Sequence, residues 1–362
     1  MLNVVIMAGG KGERFWPKSR EKSPKQLLSI GSKNTMLQET VKRAQALTSS
    51  ENIFIVTRAE LEGEIIKQIS PIPKENIINE PFGRNTAAAI GLANIVIQKR
   101  DSISRDKSSI MVVLPADHII KDVRQFKKTI AVASIAAEEG HLVTIGIKPN
   151  YPETGYGYIH RGNKVSSDIQ GVFKVKEFRE KPDLKTAEEF LKKGEYYWNS
   201  GMFVWTGKEI EKAFKKYMPK LSHALKVIDN SLSSSYLDKV IKEEYEKLEK
   251  VSIDYGVMEK AENVSVIEGL FDWNDVGSWL ALEKVYKKDD NNNIVVGDYV
   301  GIDTTDCILI GDKSPITTMG VSDLIIVNTG DVVLVCKKTE AQKVKELLKH
   351  IKKNKKLSKL VK

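Results

Sequence analysis

The chain has 362 residues, 41% of them hydrophobic and 29% charged, enough to bury one large core and a smaller second one. No apolar run approaches the roughly 20 residues of a membrane span, and the first residues lack the charged start, apolar stretch and cleavage site of a secretory leader, so a cytoplasmic location is expected. The formal charge of +9 does not describe a nucleic-acid surface, because residues 343–362 hold nine lysines against Glu346 alone and so carry +8 of it.

Residues 2–7 are a Val- and Ile-rich run that empties into Gly9, Gly10 and Gly12, a buried strand leading into a glycine loop. Glycines let backbone N–H groups close on a ligand without a Cβ in the way, and Lys11, Arg14, Lys18, Arg20, Lys22 and Lys25 add positive charge, a combination suited to a polyphosphate. The loop is not a dinucleotide fingerprint, since Phe15 stands where the third glycine belongs, and no Gly-Lys-Ser/Thr follows for a P-loop.

Strand and helix patterns then alternate. Helices are predicted over 36–47, 61–69, 85–98 and 123–138, and strands over 53–56, 77–78, 110–114 and 142–147. Such alternation predicts an α/β domain with a Rossmann-like, mostly parallel sheet and helices on both faces. Ligands of such sheets lie beyond the carboxyl ends of the strands, where Ala8-Gly9 and Pro115-Ala116-Asp117 both fall. From Tyr151 the texture turns to glycine and aromatics, followed by a strand over 172–178 and helices over 185–192, 209–216 and 236–248. A polar stretch over 287–293 reads as a linker, so the expected domains are 1–287 and 288–362. Short apolar runs over 294–296, 307–310, 324–327 and 332–336 make the second domain small and all-β. The lysine-rich end reads as a terminal basic helix with a solvated tail, and removing residues 352–362 should leave activity unchanged. Cys307 and Cys336 lack metal-ligand spacing and read as free thiols.

Several segments carry polar groups that need a chemical reading. Asp117 in Leu-Pro-Ala-Asp-His and Asp275 in Phe-Asp-Trp-Asn-Asp-Val-Gly-Ser-Trp are each a plausible cap or turn residue when taken alone. Brought together they would suit Mg²⁺, which accepts a few carboxylates and completes its octahedron with phosphates and water. Glu80-Pro81-Phe82-Gly83-Arg84-Asn85-Thr86 precedes an alanine-rich helix, and either Asn85 or Thr86 can cap it. Glu80 also has the acceptors to match the ring N–H and amino group of guanine. Glu180-Lys181 and Trp198-Asn199-Ser200-Gly201-Met202-Phe203 are the remaining segments, readable as an exposed ion pair and as core packing by Trp198, Met202 and Phe203. Neither zinc-hydrolase nor nucleophile-elbow patterns occur.

Taken in order, these segments resemble the sugar nucleotidyltransferases, and Phe15-Trp16-Pro17 with Ser19-Arg20 resembles the mannose-1-phosphate guanylyltransferase branch. The resemblance implies GTP and mannose 1-phosphate as substrates, GDP-mannose and pyrophosphate as products, and Mg²⁺ as cofactor. It implies catalytic roles for Arg14, Lys25, Asp117 and Asp275, with Asp117 and Asp275 as metal ligands. Nucleotide contacts would fall to Ala8, Gly9, Gly10, Gly12, Glu80, Asn85 and Thr86, and sugar phosphate contacts to Gly157, Glu180, Lys181 and Asn199. Two departures stand out: Ala88 replaces a usual proline, and Arg179 a usual valine. For the second domain the resemblance implies a short left-handed β-helix that seats a homodimer, although no hexapeptide period shows. The residues after Asn293 are too few for an added isomerase domain, and neither nucleic acid nor membrane is an expected partner. The alternatives are a uridylyl- or thymidylyltransferase acting on glucose 1-phosphate, or a catalytically silent nucleotide-sugar sensor.

Overall fold

The computed structural model describes residues 1–103, 109–165 and 171–361. The chain forms two compact units, the first from Met1–Gly9, Thr40–Ala116 and Ile120–Trp273, the second from Gly10–Glu39, Asp117–Ile119 and Asn274–Lys362. The elements run β1 (Leu2–Met7), α1 (Met36–Gln45), β2 (Ile53–Arg58), α2 (Glu62–Ile66), β3 (Ile77–Glu80), α3 (Thr86–Ile103), β4 (Ile110–Pro115), β5 (Ile119–Ile120) and α4 (Val123–Glu138). There follow β6 (Leu142–Ile147), β7 (Gly157–Lys164), β8 (Val172–Glu180), α5 (Leu184–Lys193), β9 (Tyr196–Thr206), α6 (Gly207–Tyr217), α7 (Pro219–Asp229), α8 (Leu237–Lys247), β10 (Val264–Glu268) and β11 (Trp273–Asn274). The last are β12 (Ile294–Val296), β13 (Tyr299–Thr305), β14 (Ile308–Gly311), β15 (Ile316–Ser322), β16 (Leu324–Asn328), β17 (Val333–Lys337) and α9 (Val344–Lys353).

In the first unit, nine strands form one sheet in the order β3-β2-β1-β4-β9-β6-β10-β8-β7 among the described residues. Only β8 and β9 run against the others, so the sheet is mostly parallel, as expected. Successive residues of β1, β2 and β4 are buried whichever face they point to, the pattern of strands covered on both sides. One cluster joins Val5, Phe54 and Trp205 of the sheet to Leu92 of α3, Phe214 of α6 and Leu225 of α7. Gly91 permits the approach of α3 to α7, because a Cβ there would lie 2.5 Å from the Leu225 side chain. Helix α4 turns an apolar stripe of Phe126, Ile130, Ala133 and Ala137 inward and is capped by Asp122, whose carboxylate accepts from Gln125 N at 3.0 Å.

Strands β7, β9 and β10 and helix α7 were not predicted. Their alternation is obscured because β9 is buried on nearly every residue and β7 is punctuated by glycines, so neither shows the period-2 pattern of a half-exposed strand.

In the second unit, β12, β14 and β16 stack in parallel, as do β13 and β15, giving coils of a β-helix-like domain. Register partners Ile294, Ile308 and Ile325 are fourteen and then seventeen residues apart, which is why no constant period is visible. The stack turns at Asn292, Asp306 and Asp323, all with φ between 53° and 64°, and Asn and Asp tolerate that left-handed region better than other side chains. β17 closes the stack antiparallel to β16.

Residues 10–39 belong to this unit and not to a contiguous first domain. Phe15, Trp16 and Ile30 share its apolar core with Trp279, Ile310 and Ile351, and a cut after residue 287 would run through that core. The expectation of a solvated tail is corrected by the structure. Helix α9 buries Val344, Leu348 and Ile351, Val361 is buried, and Trp16 Nε1 donates to Leu360 O at 2.9 Å. Lysines occupy only the outer face of this amphipathic segment; the last of them, Lys362, lies outside the described residues.

Candidate functional site

The second unit holds the proposed catalytic residues. Gly12 has φ 59°, and a Cβ on it would lie 2.4 Å from Lys25 Cβ and 2.7 Å from Lys25 N, so only glycine fits the loop against Lys25. Lys25 is buried. Its ammonium donates to Asp117 Oδ2 at 2.9 Å and to Asp275 O at 2.5 Å, which joins three segments far apart in sequence. Burial pushes the Asp117 carboxyl up, but the Lys25 charge, His118 and the hydrogen bond from Lys25 outweigh it, so the group sits below its ordinary value. Asp275 lies in a tight turn. Its Oδ1 accepts from Gly277 N at 3.0 Å, Asn274 Oδ1 accepts from Val276 N at 2.7 Å, and Val276 takes φ 47°. A β-branched residue in that region is strained by about 1–3 kcal/mol. Arg14 Nη1 reaches Gly277 O at 3.5 Å, and Gly10 O accepts from the Gln26 amide at 3.1 Å. Asp117 and Asp275 supply hard oxygen donors without thiolates, the donor type for Mg²⁺. No group of three His, Cys, Asp or Glu with metal-holding geometry exists among the described residues, so such an ion would need oxygens from substrate.

The first unit holds the base and sugar candidates. Ala8 follows β1 and its N–H donates to Val56 O at 2.8 Å, while Gly9 would bring a Cβ to 3.6 Å from Glu80 Oε2. Glu80, at the end of β3, is 5% exposed, and its Oε1 has no hydrogen-bond partner. Burial pushes its carboxyl up to about 7, against the pull of the Tyr245 hydroxyl and the Arg84 backbone. The loop that follows is held from behind: Arg84 donates to Tyr245 O at 2.7 Å and Glu246 O at 3.1 Å, and Thr86 Oγ1 accepts from Ile253 N at 2.8 Å. Asn85 takes φ 71° and its Oδ1 accepts from Thr86 N at 2.9 Å. The hydroxyl of Thr86 is thus engaged in bracing. The alanine at 88 is buried in α3, which begins at Thr86 without the proline.

Gly157, Glu180 and Asn199 converge. Gly157 and Glu180 are register partners of β7 and β8, and a Cβ on Gly157 would lie 2.6 Å from Glu180 Oε1 and 3.5 Å from Asn199 Cβ. Lys181 pairs with Glu180 at 3.1 Å. Asn199 donates to Asp254 Oδ1 at 2.7 Å, a partner that none of the sequence motifs singled out. Burial raises the Asp254 carboxyl, the Asn199 hydrogen bond pulls it down, and the Glu180 charge raises it further. No local signal points to Asp254, which lies fifty-five positions from Asn199 in the chain.

The family model described as "Nucleotidyl transferase" matches residues 3–292, and that described as "MannoseP isomerase/GMP-like beta-helix domain" matches residues 297–351. The chain is 39% identical over 357 residues to a mannose-1-phosphate guanylyltransferase of Escherichia coli, covering 97% of this chain and 75% of the relative. It is 40% identical to that of Klebsiella pneumoniae, covering 98% and 74%. A solved structure titled mannose-1-phosphate geranyltransferase, from Thermus thermophilus, aligns with a TM-score of 0.86 and 36% identity over 97% of this chain and 99% of that one. Another, titled mannose-6-phosphate isomerase, from Helicobacter pylori, gives 0.60 and 27% over 75% and 99%.

Proposed function

The chain belongs to the nucleotidyl transferase family, among the mannose-1-phosphate guanylyltransferases, and from that membership we propose that it forms GDP-mannose and pyrophosphate from GTP and α-D-mannose 1-phosphate. A phosphate oxygen of the sugar phosphate attacks the α-phosphorus in line, a new P–O–P bridge forms, and the α–β bridge breaks as pyrophosphate departs. The attacking oxygen is already ionised, so no general base is required. Catalysis is positioning and charge stabilisation. Arg14 and the basic loop bind the triphosphate, while Lys25 holds Asp117 and the Asp275 turn in place. Asp117 and Asp275 would hold Mg²⁺, which offsets phosphate charge when bound.

Glu80 is the observation that carries the choice of base: a buried carboxyl with an unpartnered oxygen is complementary to the two adjacent donors of guanine, with Ala8, Gly9 and Gly10 supplying backbone contacts. Asn85 and Thr86 set the loop that presents it. Gly157, Glu180 and Asn199 form the sugar pocket, and Lys181 contacts the phosphate. We assign catalysis to residues 1–287 together with the β-coils that share a core with residues 10–39, and to residues 288–362 the further role of seating a homodimer. The dimer reading draws on the exposed Val300, Ile302 and Met319 of β13 and β15, and light scattering tests it. The reading locates the enzyme in the cytoplasm; among the described residues no helix is long and apolar enough to cross a membrane. The test is direct: with GTP, mannose 1-phosphate and Mg²⁺, mass spectrometry should find GDP-mannose in step with pyrophosphate. Release of phosphate or GMP without a sugar nucleotide would refute it.

A further inference from the structure

The loop that carries Arg14 and Lys25 is tied to the other end of the chain. Trp16 is buried, its Nε1 donates to Leu360 O at 2.9 Å, and its own carbonyl accepts from Trp279 Nε1 at 3.2 Å. Glu21 N donates to Val361 O at 3.0 Å, and Val361 seats in the apolar core that contains Phe15 and Trp16. Lys352 Nζ lies 3.2 Å from Glu13 and 3.9 Å from Glu21. Two salt bridges hold the same loop from the β-coils, Arg20 to Asp331 at 2.9 Å and Lys18 to Asp312 at 3.1 Å. Trp279 follows the Asp275 turn directly and packs on Phe15, with ring centroids 4.8 Å apart. The basic loop is thereby held between the Asp275 segment on one side and residues 358–361 on the other.

We propose that residues 358–361 are a positioning strap for the phosphate-binding loop, acting through Trp16 and Glu21 to set where Arg14 and Lys25 stand. None of the strap residues carries chemistry of its own. Withdrawing the Leu360 carbonyl leaves a buried indole N–H without a partner, a state disfavoured by roughly five- to a hundredfold, and it frees the Glu21 amide at the other end of the same turn. The loop then samples conformations in which Arg14 and Lys25 leave the carbonyls of Gly277 and Asp275. This inference rests on the loop being the triphosphate site proposed above.

Two variants test it: a chain lacking residues 358–362, and Trp16→Phe, which keeps an aromatic ring in the core but removes the indole N–H together with its five-membered ring. Each is assayed in two ways. Steady-state kinetics should show the GTP KM rising about tenfold with the mannose 1-phosphate KM unchanged. Limited trypsin digestion, mapped by mass spectrometry, should show cleavage after Lys11, Arg14, Lys18 and Lys22 accelerated by a similar factor, while cleavage elsewhere keeps its rate. Wild-type values of both the GTP KM and the loop cleavage rates in both variants would overturn the strap. Should the shortened chain fail to fold, Trp16→Phe decides by the same two criteria. Should the wild-type chain turn over no GTP, the function reading fails while the digestion still decides the strap.

Discussion

Glu80 combines deep burial with an oxygen that nothing satisfies, and its carboxyl titrates near 7 as a result. The unfolded group titrates near 4.5, so between those values the folded state binds the extra proton. Stability therefore falls as pH rises through this window, by on the order of 3 kcal/mol in total. Glu80→Gln removes the ionisation. Its melting temperature should match the wild type at pH 4 and exceed it at pH 8; equal pH dependence of the two proteins would show that Glu80 is not the buried acid described. The same variant tests base reading, since an amide places a donor against guanine donors. Its kcat/KM for GTP should drop by about one to two powers of ten, with relative use of UTP or dTTP rising. Gly12 is the second decisive residue. Gly12→Ala forces a Cβ into Lys25 at a left-handed φ, so turnover should fall more than tenfold; wild-type kinetics would mean that Lys25 has no positional demand.

The proposed sugar pocket depends on strand register. Pairing of Gly157 with Glu180 across β7 and β8 leaves room for the Glu180 carboxylate only because position 157 has no side chain. Gly157→Ala should raise the mannose 1-phosphate KM several-fold while sparing the GTP KM, and the reverse split would remove Glu180 from the sugar site. At this scale the sequence was informative where an element has a simple signature. β1 with its glycine loop, the alanine-rich α3 and the buried run of β4 were each legible from a few residues. β9 was not, because a strand buried on both faces has no polar alternation to read. Asp254 was missed for a related reason: its significance lies in a 2.7 Å hydrogen bond to Asn199, fifty-five positions away, and no local pattern encodes that contact.

The arrangement of the whole chain was legible only in part. Charge counting treated the lysine-rich end as solvated, yet the apolar residues between those lysines seat against Phe15 and Trp16, a contact that spans nearly the entire sequence. The second unit draws on three separate stretches, and a linear boundary at 287 could not express that. A chain ended at residue 287 should consequently expose Phe15, Trp16 and Trp279 and lose turnover; full activity in that fragment would mean that the loop folds without the β-coils. The central claim, guanylyl transfer to mannose 1-phosphate, is tested most directly by kcat/KM for pyrophosphate release across GTP, UTP and dTTP, each paired with mannose 1-phosphate and glucose 1-phosphate in Mg²⁺. The account predicts that GTP with mannose 1-phosphate exceeds every other pair by at least about tenfold. A preference for UTP or dTTP with glucose 1-phosphate, or no release with any pair, would contradict it.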